Sequence, residues 1–214
     1  MNVVDLSHPL GEAMPVYPGT EPPRITDACT IAGNGFAEKL LRLYSHTGTH
    51  VDAPGHILPG AATLDRFEAG RFIGPGCLLD VSRARGLRVE IADLEKDAER
   101  IAVAEFAIFY SGWAKRWGDA SYFYGYPALS ETAAHWLAGF NLKGVGVDMI
   151  SVDEMNSTSM DIHKILLSKD MVIIENLAGL EPLIGREFVF SCLPLNIISG
   201  DGSPVRAVAM IGEE

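Results

Sequence analysis

The chain has 214 residues, of which 48% are hydrophobic and 21% charged, and its formal net charge at pH 7 is -11. This length favours one domain over residues 1–214, and the composition excludes a wholly disordered chain. An acidic surface repels phosphate backbones, and the densest basic stretch, residues 83–88, holds only three arginines, so nucleic acid is not expected as a partner.

Short apolar segments separated by glycine and proline predict a mixed α/β arrangement with more strands than helices. In chain order, the sequence predicts a strand at 3–6, a proline-rich loop at 15–23, strands at 39–44 and 76–81, a helix at 91–98, a strand at 106–110, a helix that Ser130 caps and that runs to about residue 138, a strand at 145–149, a helix at 162–168, and strands at 171–175, 188–192 and 205–211. No linker divides this pattern, so we expect a single domain.

The cysteine pattern and the lengths of the apolar segments indicate where the protein is expected to reside. The three cysteines are scattered and form no C-x-x-C pair, which favours a cytoplasmic protein. The N-terminal residues lack the basic region and apolar run of a signal peptide. No stretch approaches the roughly 20 apolar residues that a membrane span needs, so we expect no membrane partner.

Three of the six histidines and one aspartate, His46, His50, Asp52 and His56, lie within the eleven residues 46–56. Histidine and carboxylate ligands together suit zinc, manganese or iron(II). Two nitrogens on one zinc ion lie roughly 3–3.5 Å apart, whereas an extended chain would place His46 and His50 about 13 Å apart. The chain must therefore coil between them, through a helical turn or a tight turn at Gly48. Separate surface or core histidines are the alternative interpretation.

A second candidate patch lies far along the chain. His163 falls on a predicted helix, and Glu175 ends the apolar strand predicted at 171–175. A buried carboxylate needs a partner, because burying an unpaired charge is costly. A metal ion and an arginine are both suitable partners, and spacing alone leaves the choice open for both residues.

Residues 46–56 resemble the signature H-x-G-T-H-x-D-x-P-x-H of the cyclase family of metal-dependent hydrolases, which includes bacterial kynurenine formamidase and isatin hydrolase. The resemblance extends along nearly the whole chain. Segments similar to the family's pattern follow in order at residues 5–10, 17–19, 144–148, 151–153, 175–177, 193–195 and 201–206. It implies a single domain of the swivelling β/β/α type, with a mixed β-sheet and flanking helices, and a homodimer or higher homo-oligomer.

The resemblance also implies site roles, residue by residue. It assigns His46, His50 and Asp52 to one divalent metal ion, zinc or manganese. It lets Asp52 bridge to a second ion held with His163 and Glu175, so that each subunit carries one or two ions. It assigns the acid/base role to His56.

Tyr17 is expected to bind substrate, in its own or a neighbouring subunit's pocket. It stands where the formamidases that the chain resembles carry a tryptophan beside the substrate ring. Kynurenine-type specificity therefore does not follow from the resemblance, although the hydrolytic chemistry does.

The function expected is hydrolysis of an amide C–N bond in a small-molecule substrate, a formamide or a cyclic amide. A divalent metal ion would lower the pKa of bound water from about 15.7 towards about 7, and His56 would exchange protons with the water and the leaving nitrogen. Two alternatives remain. One is a cyclase or dehydratase that acts on a small hydroxy acid; the other is a non-catalytic, metal-stabilised binding protein, whose structural site would be closed by protein ligands.

Several other residues have simpler interpretations. His8, beside a proline, is expected to be structural. The aromatic residues between Trp113 and Tyr124 are expected to pack in the core or at an interface, with an aromatic substrate pocket as the alternative. Asp148 and Asp153 either support the histidines by hydrogen bonding or bond the ends of strands.

Overall fold

The computed structural model describes residues 1–84 and 88–212. Arg85, within the basic stretch at 83–88, therefore lies outside the described residues, as does the end of the domain expected over residues 1–214. In chain order the strands are β1 Asn2–Asp5, β2 Arg24–Cys29, β3 Glu38–Arg42, β4 His50–Asp52, β5 Ile73–Asp80, β6 Arg88–Val89, β7 Phe106–Tyr110, β8 Ala128–Leu129, β9 Gly144–Val147, β10 Val172–Glu175, β11 Phe188–Ser191, β12 Gly202–Pro204 and β13 Val208–Ile211. The α-helices are α1 Ile31–Asn34, α2 Ile91–Leu94, α3 Ala98–Ala102, α4 Glu131–Leu137 and α5 Asp161–Leu167.

A nine-stranded mixed sheet, with strand order β1-β13-β11-β5-β7-β9-β10-β4-β12, organises the described residues. Strands β5, β7, β9 and β10 are parallel neighbours at its centre. Antiparallel strands extend it on both sides, with β4 and β12 beyond β10. Parallel strands covered on both faces are apolar throughout, as β7 shows with all of its residues buried.

Each face of the sheet packs against its own core. On one face, Phe109 and Val145 pack in a cluster with Leu166 of α5 and residues of α4. On the other face, Ile108 and Phe190 pack in a second cluster. Successive strand residues point to opposite faces, so one strand supplies both cores. These two cores hold the central strands rigidly and fix the position of whatever lies at their ends.

Strands β2 and β3 form a separate two-stranded hairpin joined through α1. We call residues 24–42 the arm. Every residue of β3 is exposed, and the arm displays large apolar side chains to solvent: Ile31, Phe36, Leu40 and Leu41. The arm therefore draws little stability from the two cores.

The mixed α/β prediction is confirmed, with corrections to individual elements. The helix predicted at 91–98 is divided into α2, a 3₁₀ turn at Glu95–Asp97 and α3. The strand predicted at 205–211 begins only at β13, because the preceding residues leave the edge beside β4 and Ala207 accepts a hydrogen bond from the amide of Leu6. Strand β2 was not predicted, since its exposed RITDAC sequence lacks an apolar alternation.

Among the described residues, no helix is both long enough and apolar enough to cross a lipid bilayer.

Candidate metal centre

Strand β4 carries two of the candidate ligands into the centre of the site. It pairs with β10 on one side and β12 on the other, and His50 lies opposite Glu175 in the register. Because alternate residues of a strand share a face, His50 and Asp52 point the same way, while Val51 between them is buried in the opposite core. Pairing of these two strands thus brings Glu175 to the His50–Asp52 stretch across 125 residues of sequence.

A tight turn at Gly48 returns the chain so that His46 faces the same site. Gly48 has a φ of 66°, and a Cβ there would lie 2.7 Å from the Leu10 side chain. His46 Nδ1 lies 2.6 Å from Asp52 Oδ1, and His50 Nδ1 donates to the Gly48 carbonyl oxygen at 2.7 Å. The predicted coil between the two histidines is confirmed, and the tight turn provides it.

Helix α5 supplies His163 from the other side, and Asp153 fixes its ring. One oxygen of Asp153 accepts from His163 Nδ1 at 2.6 Å, and the carboxylate also accepts from the backbone amides of Ile162 and His163 at 3.0 Å. His163 Nε2 is thereby left 3.4 Å from Glu175 Oε1 and 3.7 Å from Asp52 Oδ2. A carboxylate behind a histidine in this way is typical of metal-binding histidines.

Three groups of candidate ligand atoms meet at the site, and within each group the atoms all lie within 4.8 Å of one another. Two groups share Asp52: one is His46, His50 and Asp52, and the other is Asp52, His163 and Glu175. The third group, His46, His56 and Asp201, is partly exposed. Asp52 Oδ2 is buried and has no hydrogen-bond partner. A buried carboxylate oxygen without a donor is costly unless a cation faces it, and these nitrogen and oxygen donors suit zinc or manganese. The residues present therefore fit a divalent ion.

The electrostatics of the site also favour a cation. Burial lowers the pKa of His46, but the carboxylates of Asp52 and Asp201 outweigh it and raise that pKa to about 9. Burial raises the pKa of Asp52, yet His50 and His46 hold it well below its ordinary range. Carboxylates that attract protons onto neighbouring imidazoles create a strongly negative environment, in which a divalent ion replaces those protons.

His56 lies on the open side of these groups. It ends the 3₁₀ turn Pro54–His56 that follows β4, and its ring centroid is 3.9 Å from that of His46. Its Nδ1 lies 3.6 Å from Asp201 Oδ2, and its side chain keeps 26% exposure. Burial lowers the pKa of His56 below its ordinary value of 6.5. The imidazole is therefore neutral at pH 7 and free to accept a proton.

Two residues at the end of the chain contact His46 and were given no role from the sequence. Asp201 Oδ2 lies 3.1 Å from His46 Nε2. Gly202 lies directly behind the ring, where an added Cβ would be 2.5 Å from His46 Cε1. Their only sequence signal is the segment 201–206, which resembles the close of a family pattern without indicating either contact.

A buried hydrogen-bond network behind the site was also missed. Asn176, with a φ of 58°, donates from Nδ2 to the Gly48 carbonyl at 2.9 Å, and its Oδ1 accepts from Tyr122 at 2.8 Å. The Gly48 carbonyl that receives Asn176 is the same one that orients His50. Tyr122 is fully buried in the helix-side core, so this member of the aromatic cluster packs rather than lines the cleft.

Asp148 and Asp153, each of which had two possible roles from the sequence, have different roles in the structure. Asp153 supports His163, as described above. Asp148 instead accepts hydrogen bonds from the backbone amides of Ser111, Gly112 and Trp113. Asp148 therefore holds the chain after β7 and contributes no support to a histidine of the site.

Four buried candidate ligands, His50, Asp52, His163 and Glu175, form the floor of a cleft of about 540 Å³ that opens to solvent. Apolar and aromatic side chains form its walls: Tyr17, Tyr44, Ile57, Ile150 and Met160. Tyr17, the residue expected to bind substrate, is 43% exposed. A volume in this range accommodates a small organic molecule beside the metal ligands.

The chain is similar to known proteins in sequence and in fold. Residues 4–154 match the model of the Cyclase family, described as "Putative cyclase". A kynurenine formamidase of Sphingopyxis alaskensis is 31% identical over 95% of both chains. Isatin hydrolase A from Ralstonia solanacearum superposes with a TM-score of 0.87, at 25% identity over 99% of this chain and 92% of that one. A structure described as a "Potential Metal-Dependent Hydrolase With Cyclase Activity" gives 0.81, at 27% identity over 100% and 99%.

Proposed function

Because the chain belongs to the Cyclase family, we propose that it is a metal-dependent hydrolase that cleaves the amide C–N bond of a formamide or a cyclic amide. One observation carries the proposal: two ligand groups share Asp52, whose buried Oδ2 has no other partner, at the floor of an open cleft. The similarity to a kynurenine formamidase and to isatin hydrolase supports the same bond type.

The ligand assignment follows the two groups. His46, His50 and Asp52 would hold one zinc or manganese ion, and Asp52, His163 and Glu175 would hold a second where two are bound. When bound, such an ion lowers the pKa of water and polarises a carbonyl group. Gly48 and Asp153 fix the rings of His50 and His163, so that the Nε2 atoms stay directed to the floor.

His56 moves the proton in the proposed reaction. Its neutral imidazole takes a proton from the attacking water and delivers it to the nitrogen that leaves when the C–N bond breaks. Asp201, 3.6 Å from His56 Nδ1, supports the ring in its cationic form between the two transfers. One residue then serves both as base and as acid.

The open cleft favours an enzyme over a metal-stabilised binding protein. A structural site is closed by protein ligands, whereas His46 and His56 keep 23% and 26% of their side-chain surface exposed. A substrate can therefore reach the floor from solvent. The other alternative, a cyclase or dehydratase that acts on a hydroxy acid, is an outcome of the substrate panel below.

We further propose one domain over residues 1–214, a homodimer or larger assembly, and a cytoplasmic location. The exposed apolar side chains of the arm, residues 24–42, support an assembly, because such patches mark contact surfaces. Three free cysteines, Cys29, Cys77 and Cys192, support a reduced compartment. In such an assembly Tyr17, at the open mouth, would line its own or a neighbouring cleft.

The direct test combines metal analysis with turnover. Purified protein is dialysed against a chelator, reloaded with zinc or manganese, and assayed on N-formylkynurenine, isatin, simple cyclic imides and a small hydroxy acid. We expect one or two ions per chain and turnover of an amide. Turnover of the hydroxy acid alone would replace the proposal with the cyclase or dehydratase, and protein that binds no metal would overturn it.

The role of His56 has its own test. His56→Ala should retain the metal content of the wild type and lose about 10²–10⁴-fold in kcat, the range typical of a general acid/base. Metal content by mass spectrometry and initial rates measure the two quantities. Unchanged kcat would remove His56 from the mechanism, and loss of metal would make it a ligand.

A further inference from the structure

Two candidate ligands depend on a segment without regular structure. Residues 43–49 lie between β3 and β4 and belong to neither a strand nor a helix; we call them the ligand loop. His46 lies within the loop, and His50 follows it directly at the start of β4. Because the loop has no ladder of its own backbone hydrogen bonds, the directions of these two rings depend on the groups that bond the loop from outside.

Asn176 bonds two neighbouring residues of the ligand loop. Its Nδ2 donates to the Gly48 carbonyl oxygen at 2.9 Å, and its own carbonyl oxygen accepts from Thr49 Oγ1 at 2.6 Å. Asn176 follows directly after β10, and its backbone amide donates to the Met149 carbonyl at 2.9 Å. Asn176 thus fastens the loop to the end of the central sheet, out of reach of solvent.

The Gly48 carbonyl is the link from Asn176 to His50. A carbonyl oxygen has two lone pairs, and this one accepts from both Asn176 Nδ2 and His50 Nδ1. With Nδ1 held in this way, His50 Nε2 faces the floor, 3.3 Å from Asp52 Oδ1 and 3.6 Å from Glu175 Oε2. Because the carbonyl can only accept, the Asn176 amide has one satisfactory orientation, in which its Oδ1 receives the Tyr122 hydroxyl.

The backbone conformation of Asn176 also explains why an asparagine suits this position. Its φ of 58° lies in the left-handed region, where asparagine is several-fold enriched among residues other than glycine. Glycine would adopt this conformation freely but has no side-chain donor. Asparagine combines the conformation with the donor that the Gly48 carbonyl receives.

Building on the metal-dependent function proposed above, we propose that Asn176 is a positioning residue, which sets the metal affinity of the site by holding the Gly48 carbonyl that directs His50. Asn176 is not among the described residues that line the cleft. It therefore acts through Gly48 and His50 and contacts neither the substrate nor an ion. Its removal weakens ion binding although every ligand is still present.

Asn176→Gly tests the proposal, because it permits the same backbone conformation and removes only the side chain. We expect zinc affinity, measured by competition with a chromogenic chelator, to fall about tenfold, the lower end of the range for groups that orient a ligand. Asp170→Gly is the matched control, since Asp170 is exposed and also has a φ of 58°. It should retain wild-type affinity, and equal affinities in the two variants would overturn the proposal.

Tyr122→Phe provides a second variant if Asn176→Gly does not fold. It keeps the ring in the core and removes only the hydroxyl that Asn176 Oδ1 accepts. The Asn176 amide is then less firmly held, and we expect a loss of zinc affinity of about threefold. Should Asn176→Gly fail to fold, wild-type affinity in Tyr122→Phe would overturn the proposal.

A spectrum separates positioning from a general loss of stability. The visible absorption bands of bound Co²⁺ depend on the directions of its ligands, so each protein is saturated with Co²⁺ and its spectrum is recorded. We expect the bands of Asn176→Gly to differ from those of the wild type and the bands of Asp170→Gly to match them. Identical bands at saturation in all three proteins would show that Asn176 contributes stability alone, and the proposal would fail.

The same proteins separate this proposal from the hydrolytic function. Weaker zinc binding and altered bands in Asn176→Gly, with no amide turned over by the wild type, would refute the hydrolase and retain the positioning role. Turnover of an amide by the wild type, with affinity and bands unchanged in Asn176→Gly, would refute the positioning role and retain the hydrolase. A wild-type protein that binds neither zinc nor Co²⁺ would refute both.

Discussion

The floor and the mouth of the cleft are built in different ways. We define the floor as His50, Asp52, His163 and Glu175, all of them buried, with Asp52 at 1% exposure. The floor residues lie on β4, β10 and α5, and three of them have a second partner that fixes their direction. The mouth, Tyr17 and Tyr44, is on loops, and Tyr44 is 52% exposed.

This difference separates chemistry from specificity. The floor is fixed by strand pairing and by two cores, so changes there are expected to affect metal binding and every substrate alike. The mouth contributes aromatic surface without supporting the sheet, so changes there are expected to affect some substrates and not others. Substitutions on the floor and at the mouth should therefore differ in what they change.

The largest effect is expected from Asp52→Asn. The amide is the same size as the carboxylate but removes the charge shared by both ligand groups, so metal content should fall below the wild type, and turnover should fall further than in His56→Ala. Metal analysis after desalting and initial rates measure the two losses. Asp27→Asn, on the exposed arm, is the control and should retain metal; an Asp52→Asn variant with full metal and turnover within tenfold of wild type would contradict the assignment.

A smaller loss is expected from Asp153→Asn. Asp153 does not belong to either ligand group, but it fixes the ring of His163 through a 2.6 Å hydrogen bond. Metal affinity should fall about 10–100-fold, the usual cost of removing such a partner. Competition with a chromogenic chelator measures it. Glu154→Gln is the matched control, because Glu154 is exposed and pairs with Arg88; equal affinities in the two variants would remove Asp153 from the support of the floor.

Next in size is a pH effect at His8, whose backbone amide donates to Thr49 Oγ1 at 2.9 Å. The ring of His8 stacks on Trp117 at 3.9 Å, and burial lowers its pKa to about 4. The unfolded chain then binds the proton more tightly, so stability is complete above pH 6.5 and is lost as the pH falls from 6.5 towards 4. His8→Phe lacks this loss, which we expect to reach roughly 2 kcal/mol after allowance for partial solvent screening.

Chemical unfolding of chelator-treated wild type and His8→Phe between pH 4 and pH 8 measures that difference. Chelation removes the pH dependence of metal binding from both proteins, and the other histidines cancel in the comparison. The free-energy difference between the proteins should change by roughly 2 kcal/mol over this interval. A constant difference would mean that His8 titrates normally in the folded state.

The smallest effect is expected at the mouth. Tyr17→Ala should retain the metal and lose about 2–10-fold in kcat/KM on a ring-bearing amide, which is the range of one aromatic contact. Tyr17→Phe should behave as the wild type if the ring, rather than the hydroxyl, makes that contact. Loss of metal in Tyr17→Ala would break the separation between floor and mouth.

Local sequence patterns predicted two of the three elements that carry the floor. The helix that bears His163 and the strand that ends at Glu175 were each predicted to within one residue, whereas β4 was not predicted as a strand. The cluster at 46–56 also predicted its own geometry, because metal ligands four residues apart require a turn and Gly48 provides one. These features depend on neighbours in sequence, so periodicity and composition were sufficient.

The remaining features depend on residues far apart in the chain. Pairing of β4 with β10 is what places Glu175 beside His50, and no local pattern encodes it. Asn176 has a φ of 58° and forms hydrogen bonds with Gly48 and Tyr122 behind the site. These features depend on the tertiary structure, so the local sequence does not predict them. The exposed arm lacks apolar alternation, and its first strand was missed for that reason.

Because Gly202 has no side chain, it limits which positions can be randomised in a directed-evolution experiment. Any side chain there would push against His46 from behind, at a position where the ring has a carboxylate on each of its nitrogens. A mutagenesis library that spares Gly202 and randomises the proline-rich loop at 15–23 would sample new substrates while retaining the catalytic apparatus. Diversity introduced at Gly202 itself would mostly yield inactive clones.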